Sequence, residues 1–488
     1  MNKNLKHSAI AMAAAATLLL AGCATPAPDR HPLKQRDIAN TQLASDIKLA
    51  REGWPEAQWW TAYGDAQLNA LIMQALSSGP GLEVAAAHIG SAESNVRRSA
   101  ADLGVEVSAY ATANRQRYSG TGLFPAPIGG AYFSEQTLRL DARYNFDWWG
   151  KNRAQIAAAV GEVNAGRAAY AQAEQVLAAA IAQSYFRLQG NWARLANQDL
   201  LIAAQRELVQ DKGKRVSHGL AIADELRAAE TDSSLLNQQR AQINADIRHE
   251  REGLRALVGS DDAQQASATD QLLAGLKPMP LTSVRDGHAA LPVHLGMELL
   301  ARRPDLQAAR WRVEASLSKI DAARAAFYPD VNLTGSIGLD TIKLENLLQG
   351  ASRTVFLGPS LTLPLFDSKR LNAQLDGARS ERNELIAEYN QAVVQAVRDV
   401  AQDGVVLQGL EQQIAQQNAA LMSSRAQLRS AQARRDHGLG DQGSVLNAQL
   451  ALLRQQDAAL SLQQLQLQAE VALVNSLGGG YRSAAANQ

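Results

Sequence analysis

The chain has 488 residues, 48 basic and 48 acidic side chains that cancel, 5% aromatics and one cysteine. Zero net charge excludes the basic footprint of a nucleic-acid binder, and one cysteine excludes an internal disulfide and a cysteine-built zinc or iron–sulfur centre. After Gly22 no run of about eighteen apolar residues occurs, so no membrane-spanning helix is expected and any crossing of a bilayer falls to β-strands.

Residues 1–22 place Lys3 and Lys6 ahead of an apolar run from Ala9 to Gly22, the layout of a secretory signal and too short for a stable spanning helix. The run exits through Leu20-Ala21-Gly22-Cys23, which resembles the bacterial lipobox. That resemblance implies cleavage before Cys23 and an S-diacylglycerol plus an N-acyl chain on it; the plainer alternative is an incidental thiol. One acyl chain anchors marginally, at about 0.8 kcal/mol per buried CH₂, whereas several hold firmly. Ala24 stands where an aspartate would mark inner-membrane retention, which favours the outer membrane. Residues 23–59 are read as an acylated, extended segment.

None of the fourteen prolines falls between Pro127 and Pro278 or after Pro364. An interior proline costs a helix about 3 kcal/mol, so these Ala-, Gln- and Leu-rich tracts are predicted to be long helices. From Lys151 to Ser217 the tract would be about 100 Å long at 1.5 Å per residue, a length suited to coiled coils and tubes.

The chain is also written twice. QSYFRLQG from Gln183 faces QDGVVLQG from Gln402, and HGL recurs at His218 and His437. NRAQIAAAVGE from Asn152 faces LNAQLDGARSE from Leu371, LRALVG from Leu254 faces VNSLGG from Val474, and the stretch from Pro80 faces that from Pro304. Matches in one order at nearly one spacing indicate an internal duplication. Repeat 1 covers residues 60–259, a linker covers 260–298, repeat 2 covers 299–480, and 481–488 form a tail. Each repeat reads as helix, strand pair, long helix, turn, long helix.

The strands are predicted near 105–118 and 133–148 in the first repeat and near 330–340 and 354–366 in the second. Leu138, Leu140, Ala142, Tyr144 and Phe146 alternate with Arg139, Asp141, Arg143 and Asn145, the period-two pattern of a strand with one apolar face. Pro359 and Pro364 weaken the last strand, since proline cannot donate to a ladder. Four strands cannot close a membrane barrel, whose smallest bacterial form has about eight, and an open edge in lipid is not viable. Several chains must therefore pool strands, two giving eight and three giving twelve, unless the strands avoid lipid. Trp148, Trp149, Phe327, Tyr328 and Phe366 cluster at the strand ends nearest the helices and are candidate membrane-interface aromatics; the alternative for them is packing at the strand–helix hinge.

RRPDLQAARWRVEAS from Arg302, AAFYPDVNLTGSIG behind it, WPEAQWWTAYGDAQLNALIMQAL from Trp54, LPLFDSKRLNAQL from Leu363 and SLGGGY from Ser476 resemble the outer membrane factors of tripartite efflux pumps. These are TolC-like channels, here of the NodT-type lipoprotein group, and the details lean toward a multidrug-resistance branch. The resemblance covers nearly the whole mature chain. It implies a mainly α fold with a membrane β-barrel: a homotrimer whose pooled strands make a 12-stranded barrel on a long α-helical periplasmic tube. It also implies docking of the helical tips on a periplasmic membrane-fusion adaptor. The adaptor would couple to an inner-membrane transporter of the major facilitator or resistance–nodulation–division type.

The tips match Arg215, His218, Gly219 and Leu220 in the first repeat and Arg435, His437, Gly438 and Leu439 in the second. Gly219 and Gly438 suit the left-handed residue that ends a helix. Many members carry an Asp–Arg pair of the periplasmic gate where this chain has Asn447 and Leu450. Closure would then rest on amide hydrogen bonds at Asn447 and Gln449 or on packing at Leu450, with Asp441, Asp224 and Glu225 near the tips as alternative acids.

Enzyme readings are poor. GLGDQG at Gly438 matches G-x-G-x-x-G but follows a helix where a dinucleotide site needs a strand. No H-E-x-x-H, G-x-S-x-G or Walker lysine occurs, and neither a cofactor nor a metal is expected. The expected function is a passive exit duct for drugs or other small toxic compounds. The alternatives are the duct of a type I protein-secretion system and a non-conducting periplasmic coiled-coil lipoprotein.

Overall fold

The computed structural model describes residues 25–36, 47, 54–259, 263–281, 298–299 and 302–481. Cys23 lies outside them. The chain divides into two compact units, residues 1–35, 88–166 and 309–389 in one and 36–87, 167–308 and 390–488 in the other.

The first unit holds four antiparallel strands in the order β1 (Val105–Arg117), β2 (Tyr132–Phe146), β3 (Asp330–Thr341) and β4 (Arg353–Thr362). The two hairpins come from the two repeats and join through β2 and β3. Two predicted strand ends are corrected. The second strand stops at Phe146 and not 148, because Asp147 turns to accept the Asn152 and Arg153 N–H groups (both 3.0 Å) that open the next helix. The fourth stops at Thr362 and not 366, just ahead of Pro364. Pro359 does sit inside β4, an edge strand, opposite Leu333.

The helices are α1 (Ala66–Ser78), α2 (Pro80–Ala101), α3 (Lys151–Ser217), α4 (Ala223–Val258), α5 (Ala263–Ala274), α6 (Pro304–Ala325), α7 (Ser368–Asp436) and α8 (Gln442–Ser476). At 67 and 69 residues, α3 and α7 occupy equivalent places in the two repeats. No described helix is long and apolar enough to cross a membrane. In the first unit, Ile320 of α6 and Leu371 and Leu375 of α7 pack with Phe327 in a small buried cluster.

The second unit carries the main core. Leu68, Leu71, Ile72 and Ala75 form the inward stripe of α1, at the i, i+3, i+4, i+7 spacing of a helix face. They belong to one cluster with Ile181, Tyr185, Phe186 and Leu188 of α3, Leu254 of α4 and Val471 of α8. Asp65 caps α1 by accepting the Gln67 and Leu68 N–H groups, and the Tyr185 hydroxyl donates to it at 2.6 Å. The segment 260–298, read as a linker, contains α5. Beyond it the chain is held by two side-chain amides: Lys277 N–H donates to Gln67 Oε1 and Met279 N–H to Gln189 Oε1, both at 2.7 Å.

Candidate functional site

Pairing fixes which side chains share a face of the sheet. Val107, Ala142, Gly335 and Leu357 lie in one row, and Ala109, Leu140, Ile337 and Val355 in the next. The face is apolar from Val105–Tyr144 up to Ala111–Leu138, apart from Arg353 at the β4 end of that last row. Opposite it stand Glu106, Asp141, Arg143, Thr334 and Ser336. Yet Val107, Leu140 and Ile337 are 65%, 51% and 60% exposed. An exposed apolar face of this size needs a non-aqueous neighbour. Val105–Ala113, Leu138–Phe146 and Val331–Leu339 each run about nine residues, the length a tilted strand needs to cross a hydrocarbon layer. On the polar face, Arg139 pairs with Asp141 at 2.7 Å and lies over the Tyr110 ring. The outer edges of β1 and β4 have no partner strand among the described residues.

At the helix-proximal end of the sheet, Trp149 stacks on Tyr328 with ring centroids 4.6 Å apart, and its indole N–H donates to Pro329 O at 2.9 Å. Trp148 and Phe366 are exposed, as are Trp149 and Tyr328. Phe327 is not an interface residue. It is 4% exposed, because the last turn after α6 points it into the Ile320–Leu371–Leu375 cluster while its neighbour Tyr328 points out.

Below Thr25 the N-terminal arm runs along α7 on a rail of polar side chains. Asn372 donates to Thr25 O (3.2 Å) and accepts from Ala27 N–H (2.7 Å). Arg379 donates to Ala27 O (2.6 Å), Arg382 to Asp29 (2.7 Å) and Asn383 to His31 O (3.0 Å). Sequence reasoning missed this rail. Its signal was the spacing of Asn372, Arg379 and Asn383, which returns them to one face of a helix.

The two tips are built alike. Leu220 N–H donates to Arg215 O and Leu439 N–H to Arg434 O, both at 2.7 Å, with Gly219 and Gly438 at φ +71° and +72°. Each is a left-handed helix stop that satisfies terminal carbonyls, a conformation a Cβ disfavours. Leu220, Ile222 and Leu439 project 65–78% exposed beside His218 and His437. One hairpin is bridged by Lys212–Glu225 (2.8 Å), the other by Arg435–Gln442 (3.0 Å). The hairpins are tied to each other by an ion pair between Arg215 and Asp441. Asp441 also caps α8, accepting Ser444 N–H at 2.8 Å and its hydroxyl at 2.6 Å. Those bonds from Ser444, then the Arg215 guanidinium, hold its carboxyl down at about 2.

Of the gate candidates, Asn447 is exposed and Gln449 half-buried. Leu450 cannot serve as a plug: it is 3% exposed, buried with Leu201, Leu208, Leu236, Leu446 and Leu453 in its own chain's packing. Asp441 is already engaged with Ser444 and Arg215.

The sequence model described as "Outer membrane efflux protein" matches residues 71–260 and 295–479, one match per repeat. The chain is 37% identical over 495 residues to the multidrug resistance outer membrane protein MdtP of Shigella flexneri, covering 99% of each. It is 36% identical over 484 residues to MdtQ of Escherichia coli O157:H7, covering 95% of this chain and 96% of the relative. Among solved structures it resembles the outer membrane protein VceC of Vibrio cholerae, with TM-score 0.76, 31% identity, and coverage of 88% of this chain and 100% of the other.

Proposed function

The chain belongs to the outer membrane efflux protein family and is an outer-membrane channel subunit, a passive duct and not an enzyme; we propose that it works as a homotrimer whose twelve pooled strands form the barrel. The observation that carries this is the four-stranded sheet with one exposed apolar face and two open outer edges. Edges in lipid must be paired, and three copies close the ring with β4 of each against β1 of the next. The polar face then lines the lumen, and the long helices build the periplasmic tube. Purified protein in a planar bilayer is expected to conduct, with a native mass of three chains. A non-conducting monomer would overturn the reading.

The relatives named for multidrug resistance support drugs and other small toxic compounds as the cargo. The tips, with Leu220 and Leu439 exposed, are the face offered to a periplasmic adaptor and, through it, to an inner-membrane transporter. A photo-crosslinker at Ser217 or Asp436 is expected to capture that adaptor in cells. At the gate, Asn447 and Gln449 replace an ion pair by amides, so conductance is expected to resist block by low Mg²⁺.

Cys23 is read as the acylated residue. The rail supports this: it holds Thr25, two residues on, beside Asn372 near the start of α7, close in sequence to Phe366. Thr25 itself is held at the sheet end of that helix. Mass spectrometry of the mature N-terminus is expected to show lipid on Cys23 that Cys23→Ser lacks.

A further inference from the structure

Above the apolar band, the same face of the sheet changes character. The rows beyond Ala113 and Gln136 place Arg115, Arg117 and Tyr132 on it, and Arg353 stands in the row of Leu339. All four are exposed. The Arg115 and Arg117 guanidiniums lie 5.5 and 6.0 Å over the Tyr132 ring. None of the three arginines has a carboxylate at ion-pair distance among the described residues, whereas Arg139 on the opposite face is paired to Asp141. The strand acids of this end, Glu135 and Asp340, pair in register with Asn114 and Thr137 and so belong to the other face, and Glu345 of the β3–β4 connection is paired with Lys343 at 4.0 Å. Directly below Arg353 is an open cavity of about 470 Å³ lined by Leu138, Leu140, Ile337, Leu339 and Val355.

We propose that this collar binds the phosphate groups of the outer leaflet's phosphorylated glycolipid, with Arg115, Arg117 and Arg353 as the phosphate ligands and the groove under Arg353 taking an acyl chain. Guanidinium forks match phosphate geometry and are only weakly hydrated, so they suit the edge of a hydrocarbon layer. An apolar groove with a cation at its rim is complementary to one amphiphile, an acyl chain ending in a phosphorylated head. The two open edges place Arg115 and Arg117 across one sheet from Arg353, roughly 14 Å away sideways at ~4.8 Å per strand and several residues farther along the strand. In a closed ring the β4 edge of one copy adjoins the β1 edge of the next, so the inference rests on the barrel reading above.

The test uses full-length protein in phosphatidylcholine vesicles containing bis-phosphorylated lipid A, dephosphorylated lipid A, or neither with inorganic phosphate added. The unfolding midpoint is expected to rise with bis-phosphorylated lipid A and not with the other two. Lipid A retained through purification is expected to fall about tenfold in Arg115→Gln/Arg117→Gln/Arg353→Gln. Equal midpoints in wild-type protein across the three mixtures would overturn the proposal even if the triple variant failed to assemble; so would unchanged retention in an assembled variant. A rise with inorganic phosphate alone would replace lipid by a free anion. A fluorophore at Ile337→Cys, quenched by brominated lipid, reports separately on the barrel reading. Quenching without a lipid A effect rejects the collar alone, and no quenching rejects the membrane face beneath it.

Discussion

Leu68, Leu71 and Ile72 of the helical unit have no exposed surface, while Val107, Leu140 and Ile337 of the sheet are more than half exposed. The residue types are the same, and each side chain of this kind gains about 1.5–3 kcal/mol when removed from water. In the helices the removal is completed inside one chain, where α1, α3, α4 and α8 bring their stripes together. In the sheet one chain cannot complete it, and the missing partners are lipid on one face and other copies at two edges. The difference shows how one chain encodes two solvents: period 3.6 where the core is its own, period two where the bilayer is half of it.

The contrast is broken most strongly by charge on the lipid-facing row. Leu140→Arg is expected to cost about 2–4 kcal/mol per copy near the bilayer midplane, and the protein should vanish from the outer-membrane fraction. Ser336→Arg, on the opposite face, should leave assembly intact and alter only conductance. A comparable cost from a different source is expected of Phe186→Ala: about 3–5 kcal/mol from the cavity, read as a lower unfolding midpoint with unchanged membrane fractionation.

The boundary between the two regimes runs between adjacent residues. Phe327→Ala is expected to destabilise by about 3 kcal/mol or more as a core deletion. Trp149→Ala, which removes an exposed stack on Tyr328, should cost about 1 kcal/mol. Equal effects on the thermal midpoint would show that both rings sit in one environment.

The smallest effect lies at the tips. Asp441→Ala should cost about 1 kcal/mol through the lost α8 cap, seen as faster hydrogen exchange at Ser444. Because its carboxyl is depressed to about 2, its contribution is fully present above the ordinary carboxylate range. It fades as pH falls from that range through about 2. Exchange at Ser444 is therefore expected to be insensitive to protonation between neutral pH and about pH 4, after correction for intrinsic rates.

Where information is local, the sequence determined the outcome. Proline-free tracts, period-two alternation and a glycine after each HGL histidine set α3, α7, the four strands and the two turns, because backbone sterics and one-face patterning act within a few residues. The duplication was equally readable, since it is a property of the string. What only tertiary structure decided are choices among residues that look alike. Phe327 turns into a cluster and Tyr328 turns out of it, since the chain leaving α6 can bury one of two neighbouring rings. Leu450 faces its own chain because α8 already presents Leu446 and Leu453 on that side. Arg215 and Asp441, more than two hundred residues apart, meet only because both hairpins end at the same place. The rail on α7 likewise depends on an arm and a helix whose hydrogen-bonding groups are separated by some 350 residues. The one-face spacing on α7 marks the rail's polar side chains, but no local pattern names the partners in such pairings, for their free energy exists only once the chain has brought distant segments together.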